Sequence, residues 1–387
     1  MRVISTEKVP IKLWLDDIEE SALTQAKNLA NLPFTFKWVA IMPDSHSGYG
    51  MPIGGVLATR GVVIPNAVGV DIGCGMCAVR TNIQVEDLVD DKSTIKLIIG
   101  KVRATVPVGF DHQKENQKWE GFVRAPDVQV VQRELTASKK QLGTLGGGNH
   151  FIEIQKGSNG FVWIMIHSGS RNFGLKVAKD YHEKAQALCN RWYSNIPDPD
   201  LAFLPIETVE AKEYLAAMNF ALDFAKENRF RMIERVKEAV TNYVPNVEFG
   251  NTINIHHNYA AYEHHYGENV IVHRKGATSA KKGEMGIIPG SQGTKSYITI
   301  GKGNPESFMS CSHGAGRKLG RKAAQRELNL EDEQKKLDEQ GIIHSIRNVS
   351  DLDEASGAYK DISVVMDNQK DLVDIFVELS PLAVIKG

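Results

Sequence analysis

Disulfide frameworks, membrane spans and secretion signals are all missing from this sequence. Its four cysteines are too few to form a disulfide framework for a chain of 387 residues. Each is therefore expected to be a metal ligand, a reactive thiol or a buried apolar group. No uninterrupted apolar run approaches the length of a membrane span, and the N-terminus lacks an apolar signal core. We therefore expect a cytoplasmic protein that does not associate with a membrane.

An excess of charge of either sign is also missing. The formal net charge is −1, which argues against a uniformly cationic surface, although a local basic cleft would not appear in that sum. Hydrophobic residues make up 42% and charged residues 24% of the chain, as in globular proteins that bury a substantial core. Any nucleic-acid site must therefore be argued from local residues.

Glycine, in contrast, is abundant and unevenly distributed. Its 34 residues concentrate in clusters, most of which adjoin strand-like runs such as VWIMIH and NTINIHH. Strands that lead into Gly-rich loops bring backbone groups and polar side chains to a shared site. The clusters lie at residues 48–55, 68–76, 142–151, 167–174, 289–293 and 312–317.

The organisation of the chain predicts one integrated α+β domain over residues 1–387. Helical patterns occupy residues 18–32, 207–240 and 316–340. No internal repeat or Pro/Ser-rich linker divides the chain, and the candidate ligands described below are spread across it. A catalytic and a binding domain in series would separate those ligands, so this interleaving favours a single unit.

Five candidate metal ligands come from four separate segments. Asp71 and Cys74 lie three residues apart across a glycine, so both side chains can turn toward one ion or an adjacent pair. His150 follows three consecutive glycines, His167 ends a strand-like run, and His257 ends another. Each alone is more simply a structural residue, such as a buried cysteine or a hydrogen-bonded histidine. Together they predict a metal site.

The neighbouring His256 is a competitor for the last of these positions. Successive side chains of a strand point to opposite faces, so only one of His256 and His257 is expected to join the site.

The loop SCSHGAGR at residues 310–317 is the most suggestive single segment. His313 precedes two glycines and an expected helix that carries Arg321 and other cations. A Gly-rich helix N-terminus with flanking cations is typical of a phosphate site. There His313 could be a general acid or base, a ligand, or a nucleophile that forms a phosphoramidate, and an incidental histidine is the structural alternative.

Other loops add candidate phosphate contacts. Residues 287–297, IIPGSQGTKSY, supply hydroxyls and backbone N–H groups around two glycines, but no Walker loop occurs in the chain. Arg171, after the Gly-Ser of HSGSR, is a further candidate. Asp44 and His46 fall in what we expect to be a mobile loop, and spacing alone assigns them no role.

Taken side by side, these segments resemble the RtcB family of RNA ligases, which join a 3′-phosphate or 2′,3′-cyclic phosphate end to a 5′-hydroxyl. Ten segments match in family order from about residue 42 to the C-terminus. They are MPDSHSGYGMPIGG, VGVDIGCGM, LGGGNHFIE, HSGSRNFG, NIHHNYA, VHRKGAT, PGSQG, SHGAGR, AYKDI and the terminal KG.

The resemblance implies two Mn²⁺ ions bridged by Cys74, with Asp71 and His257 completing one site and His150 and His167 the other. It implies an RtcB-type fold of mixed and antiparallel sheets with flanking helices and Gly-rich active-site loops. It also implies that His313 attacks the α-phosphorus of GTP to form a histidine–GMP adduct. The guanylate then passes to the RNA 3′-phosphate, and the 5′-hydroxyl displaces GMP, in tRNA splicing or RNA repair.

The resemblance further implies the nucleotide and RNA contacts. Arg171, Arg317 and Arg321 are expected to grip RNA phosphates. An accessory activating protein, archease-like, and a monomeric state are expectations from the family. The guanylate pocket is expected to comprise Asn149, His150, Phe151, Ile152, Glu153, His257, Asn258, Pro289, Gly290, Ser291, Gln292, Ser296, His313, Gly314, Ala315, Gly316, Tyr359 and Lys386.

Two departures and two alternatives accompany this interpretation. Gln292 stands where the family usually has methionine, which affects one expected nucleotide contact but no chemical step. Residues 176–250 match less clearly, so a different RNA-end specificity is an open alternative. One alternative is a metal-dependent phosphohydrolase, which would use water and form no covalent guanylate. The other is a non-catalytic RNA-binding protein, which is disfavoured because every expected ligand and the nucleophile are present.

Overall fold

The computed structural model describes all 387 residues, and it confirms the mixed α+β class. The predicted helices at 18–32 and 207–240 are confirmed as α1 and α7. The helices are α1 (Glu20–Ala30), α2 (Pro65–Val68), α3 (Val85–Leu88), α4 (Lys92–Thr105), α5 (Gln129–Gln141), α6 (Phe173–Arg191), α7 (Val209–Thr241), α8 (Arg321–Glu327), α9 (Leu330–Glu339) and α10 (Ile362–Asp367).

The strands outnumber the helices and are mostly short. They are β1 (Arg2–Ile4), β2 (Ile11–Leu13), β3 (Thr35–His46), β4 (Ile53–Thr59), β5 (Val62–Val63), β6 (Gly75–Gln84), β7 (Phe151–Gly157), β8 (Phe161–Ser168), β9 (Leu204–Pro205), β10 (Ile253–His256), β11 (Asn258–His265), β12 (Glu268–Lys275), β13 (Ala277–Ser279), β14 (Met285–Ile288), β15 (Ser296–Gly301), β16 (Ser310–Ser312) and β17 (Val373–Lys386).

Two large sheets organise these strands. One has the order β1-β2-β3-β4-β12-β11, and the other has the order β10-β6-β8-β7-β17-β15-β14. Among the paired strands only β2 and β3 run parallel. In the antiparallel pairs the start of one strand lies beside the end of its neighbour, so residues distant in sequence meet at the same end of the sheet. The division into domains stays a prediction.

The long helix α7 packs against the second sheet, where it contacts β6, β8 and β10. It has no proline or glycine, and the side chain of Thr208 caps its start by accepting a hydrogen bond from the backbone N–H of Ala211. Its buried face includes Phe220, which belongs to one apolar cluster of the core, and Met232 and Ile233, which belong to another. No helix of the protein has the length and apolar character that a membrane crossing requires.

Two local predictions are wrong. Residues 316–340 do not form one helix, because α8 begins only at Arg321 and α9 begins anew after Asn329, whose side chain accepts a hydrogen bond from Asp332 N. Residues 42–46 are not a mobile loop but the end of β3, where Asp44 is fully buried. Because α8 begins only at Arg321, the expected phosphate site after His313 lies in a loop and not at a helix N-terminus.

Candidate metal and nucleotide site

The five predicted ligands meet at one edge of the second sheet. Strand register explains this meeting: Phe151 pairs with His167, and Gly75 pairs with both Ser168 and His256. Since β6 and β7 begin where β8 and β10 end, residues that flank these termini lie together. Sites of this kind depend on strand pairing, which no local motif shows.

One trio of donor groups consists of Cys74, His167 and His257, all of them buried. The Sγ atom of Cys74 lies 3.2 Å from Nε2 of His167, and Nε2 of His167 lies 3.4 Å from Nε2 of His257. Lone pairs of two neutral imidazoles at this separation repel each other unless a proton or a cation lies between them.

A second trio consists of Asp71, Cys74 and His150, and it shares the thiol with the first. Nε2 of His150 lies 3.4 Å from Cys74 Sγ and 3.5 Å from Oδ2 of Asp71. The sharing of Cys74 agrees with the expected bridge. The expected division of the other ligands is wrong, because His257 groups with His167, and Asp71 groups with His150. Neither trio contains both His257 and Asp71.

Backbone carbonyls orient two of the imidazoles. Nδ1 of His150 lies 3.0 Å from the carbonyl oxygen of Leu145, and Nδ1 of His167 lies 3.0 Å from that of Asn149. A carbonyl can only accept, so each Nδ1 carries the proton and each Nε2 presents its lone pair to the cluster. Nδ1 of His257 is buried without a hydrogen-bond partner.

The residues present fit divalent transition ions. Burial, reinforced by the Asp71 carboxylate, raises the pKa of the Cys74 thiol well above its usual value. Burial likewise lowers the pKa of His167 and of His257 well below the usual value, so both rings are neutral. A bound cation favours the thiolate, and neutral imidazole with thiolate and carboxylate suits Mn²⁺, Fe²⁺, Co²⁺ or Zn²⁺.

The predicted choice between adjacent histidines is confirmed. His257, which lies between β10 and β11, belongs to the cluster, whereas Nδ1 of His256, at the end of β10, lies 3.0 Å from the guanidinium of Arg229. The alternation of a single strand residue was sufficient to separate them.

His313 lies beside this cluster, and Asp44 fixes its orientation. The ring centroids of His313 and His257 are 4.7 Å apart. Oδ2 of Asp44 lies 2.6 Å from Nδ1 of His313 and also accepts hydrogen bonds from the backbone N–H groups of His313 and Gly314, at 3.1 and 3.3 Å. Nδ1 therefore carries the proton, which leaves Nε2 unprotonated in the neutral ring.

The close approach of Asp44 depends on Gly316. That glycine has a φ of 75°, and a Cβ atom there would collide with the carbonyl oxygen of Asp44. Any other residue would therefore push the His313 loop away from β3. The sequence contained both residues, but nothing in their spacing connected positions 272 residues apart.

A cleft of about 250 Å³ adjoins His313 and holds most of the predicted nucleotide contacts. His150 and His257 lie in the adjoining metal cluster rather than in its lining. The predicted residues that line the cleft are Asn149, Phe151, Glu153, Pro289, Gly290, Ser291, Gln292, His313, Gly314, Ala315, Gly316, Tyr359 and Lys386.

Three further predicted contacts do not line the cleft. Ile152 points to the opposite face of β7 and is buried in the core. Ser296 supports the loop from behind, since its hydroxyl accepts a hydrogen bond from Gly290 N. Asn258 joins two loops by donating to the carbonyl of Asp71 and accepting from Gly276 N.

One wall of the cleft carries a buried carboxyl group, that of Glu153, near the ammonium group of Lys386. Glu153 is 3% exposed, and Gln155 donates a hydrogen bond to its carboxylate at 2.6 Å. Burial raises the pKa of Glu153 to about 8, although the nearby Lys386 ammonium and the Gln155 hydrogen bond act in the opposite direction. The carboxylate therefore lacks enough donors within the protein, as expected of a group that receives them from a ligand.

Glu354 is a cleft residue that sequence reasoning missed. Its carboxylate accepts from Tyr359 Oη at 2.5 Å, from Lys386 Nζ at 3.1 Å and from Arg317 Nη1 at 3.1 Å, and it pairs with Arg321 at 3.2 Å. Four predicted site residues thus share one acid. The cationic residues between 317 and 321 and at the C-terminus are the sequence feature that could have indicated a buried acidic partner such as Glu354.

The three arginines predicted to contact RNA differ in how far their guanidinium groups are exposed and already bonded within the protein. The guanidinium of Arg317 is engaged by Glu354 and by the carbonyls of Leu319 and Asp353. Arg321 also forms ion pairs, with Asp353 at 2.9 Å and with Glu354 at 3.2 Å, but about half of its side chain is exposed. Arg171 has a φ of 51° and donates to Thr144 and Gly109. Left-handed backbone at a non-glycine residue is a strained state that clusters at functional sites.

Gln292 has a structural explanation for its departure from the usual methionine. Its buried amide donates to the carbonyl of Glu354 and accepts from Ser345 N, each at 3.3 Å. The side chain thereby joins the 289–293 loop to the 345–354 segment, which an apolar thioether cannot do by hydrogen bonding.

Fold and site together define a mixed α+β protein with a thiol-centred cluster of metal-ligand type beside a cleft of about 250 Å³. The family described as tRNA-splicing ligase RtcB matches residues 25–387, and the chain belongs to the RtcB family. RNA-splicing ligase RtcB of Escherichia coli strain K12 is 38% identical over 410 residues, covering 100% of this chain and 99% of the relative.

An archaeal relative also matches nearly the whole chain, at a lower sequence identity. tRNA-splicing ligase RtcB of Pyrobaculum aerophilum is 32% identical over 464 residues, covering 98% of this chain and 95% of the relative. The similarity therefore extends through residues 176–250, where the sequence pattern alone matched less clearly.

Proposed function

We propose that this chain is a GTP- and Mn²⁺-dependent RNA ligase that joins 3′-phosphate or 2′,3′-cyclic phosphate ends to 5′-hydroxyl ends through a guanylate on His313. The observation that carries the proposal is the His313–Asp44 pair at the mouth of a nucleotide-sized cleft, beside a cluster of metal-ligand type. Two Mn²⁺ ions held by the two trios would neutralise triphosphate charge and help to orient the displacement.

The residues of the chain suit the first covalent step. The lone pair of His313 Nε2 forms a bond to the α-phosphorus of GTP, and the bond from that phosphorus to the bridging oxygen breaks. Pyrophosphate leaves with the electron pair. Asp44 holds the Nδ1 proton throughout, so the ring keeps the tautomer whose Nε2 is nucleophilic, and the carboxylate offsets positive charge that develops on the ring.

Two transfers then complete ligation. At a 2′,3′-cyclic end, water first adds to phosphorus and the 2′-O–P bond breaks, which gives the 3′-phosphate and a 2′-hydroxyl. An oxygen of the RNA 3′-phosphate then attacks the guanylate phosphorus, which breaks the N–P bond and restores His313. The RNA 5′-hydroxyl next attacks the activated 3′-phosphorus and releases GMP. Arg171 and Arg321 are the cations placed to contact RNA phosphates, while Arg317 supports the cleft through Glu354.

A carboxylate and an ammonium in the same cleft explain a preference for guanine. The Watson–Crick edge of guanine has an acceptor at O6 and donors at N1 and N2, and adenine has a donor at N6 and an acceptor at N1. Glu153 can accept from the guanine donors, and Lys386 can donate to O6. Adenine would place a donor toward the ammonium and an acceptor toward the carboxylate.

The isosteric change Glu153→Gln tests this assignment. Loss of a charge-assisted hydrogen bond of about 1.5–3 kcal/mol predicts GTP binding weaker by about 10- to 100-fold, with little change for ATP. The ordinary protein should also bind GTP more tightly as pH rises through about 8, because the Glu153 carboxyl ionises there. Competition binding at several pH values measures both effects.

Gln155→Glu is not a suitable control because it adds a charge. The matched control is Glu378→Gln, since Glu378 is a partly exposed residue of β17 that pairs with Lys295 and does not line the cleft. Equal GTP affinities for Glu153→Gln and the control, with the same pH dependence, would remove Glu153 from base recognition.

Asp44→Asn tests the orientation of the nucleophile. An amide in place of the carboxylate no longer fixes the Nδ1 tautomer or offsets charge on the ring, so guanylate transfer to His313 is expected to slow by about 10²- to 10⁴-fold. Single-turnover labelling with GTP measures that rate, and metal content should stay unchanged. A rate within a factor of about three of the original would contradict the assigned role.

The joining reaction itself is tested with defined RNA ends. An RNA with a 3′-phosphate and one with a 5′-hydroxyl should be joined only when Mn²⁺ and GTP are both present. Substrates with a 3′-hydroxyl and a 5′-phosphate should not be joined. Joining of the latter pair, or joining without GTP, would refute the proposal.

The cellular setting follows from the same proposal. We infer a cytoplasmic monomer that acts on tRNA halves or cleaved RNA and is activated by an archease-like accessory protein. Multiple-turnover joining with and without such a protein tests the last point.

A further inference from the structure

Helix α7 carries two adjacent polar residues that the reaction does not use. Asn228 and Arg229 are both completely buried, near the middle of a helix whose inward face is otherwise mainly apolar. Arg229 forms no ion pair with an acidic side chain, so its full charge is held in the interior by neutral acceptors. Burial of an unpaired charge is costly, and packing alone would favour an apolar residue here.

The acceptors of Arg229 belong to three ligand-bearing segments. Its Nη1 donates at 2.9 Å to the carbonyls of Gly73, which precedes Cys74, and of Ser168, which follows His167. Its Nη2 lies 3.0 Å from Nδ1 of His256, which precedes His257.

The remaining donor strengthens the link to the strand before His257. Nε of Arg229 donates at 2.8 Å to Oδ1 of Asn254 in β10. One planar guanidinium thereby holds the segments of all three residues of the first trio, Cys74, His167 and His257, without a hydrogen bond to any of their side chains.

Asn228 holds the fourth segment in the same way. Its Oδ1 accepts from the backbone N–H groups of Gly143 and Thr144 at 2.6 and 3.1 Å, and its Nδ2 donates to the carbonyl of Thr144 at 3.1 Å. The next residue, Leu145, provides the carbonyl that orients His150. Nδ2 also lies 3.2 Å from both Ser168 Oγ and Gly169 O, next to His167.

We propose that Asn228 and Arg229 are positioning residues that hold the four ligand-bearing segments at the separations a two-ion centre requires. The inference rests on the proposed metal centre and adds to it the part of the chain that sets its geometry. The second-sheet edge brings the segments near one another, and the α7 pair fixes their loops to a single rigid helix.

The test uses Co²⁺ as a probe of the full-length protein, because a Co²⁺–thiolate bond gives a charge-transfer absorption that reports on geometry. Arg229→Met removes the charge and every donor, and Arg229→Lys keeps the charge but loses the planar fork. The matched control is Arg231→Met, two residues along the same helix, where a partly exposed guanidinium pairs with Glu227. Thermal unfolding of the metal-free proteins reports stability separately.

Arg229→Met and Arg229→Lys should bind Co²⁺ at least about 10-fold more weakly and with an altered thiolate band, as supporting residues of metal sites do. Arg231→Met should match the original protein. If Arg229→Met does not fold, Arg229→Lys alone decides. Original affinity and spectrum in a folded Arg229→Lys protein would overturn the proposal.

The result also separates this inference from the proposed function. If the original protein binds no Co²⁺ and shows no thiolate band, the metal centre itself fails. If the original protein binds Co²⁺ with that band and the Arg229 variants are indistinguishable from it, only the positioning role fails.

Discussion

Replacement of Cys74 by alanine is expected to abolish binding of both metal ions. The thiol belongs to both trios of donor groups, so its loss leaves each ion with two protein ligands. Two ligands of this type do not retain a transition ion against dialysis when three or four are usual. Metal analysis after dialysis against Mn²⁺ should fall from about two ions per chain to near zero, and covalent guanylate formation should disappear with them.

The controls for this result lie in the same chain. Cys77→Ala removes a buried thiol in the apolar core, outside both trios, and should keep both ions. His150→Ala and His257→Ala each damage one trio, so each should keep about one ion. Retention of two ions by Cys74→Ala would contradict the shared ligand, and simultaneous loss of both ions from His257→Ala would contradict the pairing.

Replacement of His313 by alanine is expected to remove covalent guanylate while leaving metal content intact. The His313 ring supplies the only proposed bond to phosphorus, but it belongs to neither trio. Loss of a nucleophile typically slows a covalent step by 10³-fold or more, so we expect labelling at least about 10³-fold below the original protein. Labelled GTP and denaturing electrophoresis measure the adduct, and metal analysis of the same sample measures the ions.

His264→Ala is the matched control, because His264 is an exposed histidine of β11 that hydrogen-bonds only Asn269. It should label like the original protein. Undiminished labelling of His313→Ala would place the covalent bond on another residue. Loss of metal together with label would mean that His313 is a ligand, which was one of its possible roles from sequence.

The phosphohydrolase alternative uses the same ions but requires a different fate for His313. A hydrolase would need the histidine only to move protons to or from water. Asp44 occupies Nδ1 of the ring, so one nitrogen remains for chemistry in the cleft. That arrangement serves a nucleophile and a general base equally, and only the covalent adduct separates the two.

Local sequence patterns predicted the elements that depend on local physics. Helix α7 has strong helix formers and no breaker, so its predicted bounds differ from the observed ones by at most two residues. The choice of His257 over His256 required only the alternation of a strand. Gly-rich loops at strand ends likewise indicated the ligand-bearing segments, although the sequence did not show that these segments lie together.

Features that depend on pairing between distant segments could not be predicted in this way. The division of ligands between two trios follows from the register of β6, β7, β8 and β10, so Asp71 and His257 could not be separated from spacing. Asp44 was expected in a mobile loop because its contact with His313 spans 269 residues.

The wrong helix at 316–340 has a local cause that the sequence did contain. Helix-forming residues surround Leu328 and Asn329, and their propensities alone predict continuity. The asparagine side chain instead caps a new helix. Gly316, with a φ of 75°, lies in a loop at residues 313–320 that contacts Asp44 and the cleft, so no helix begins before Arg321. Capping residues inside a helical pattern deserve as much weight as propensity.

The most direct test is the mass of the protein after incubation with GTP and Mn²⁺, measured without acid and followed by peptide mapping. The proposal predicts a mass increase of one guanylate, lost on mild acid treatment as a phosphoramidate is, and located on His313. An unchanged mass under conditions where the protein holds its ions and binds GTP, or a guanylate on a different residue, would contradict it.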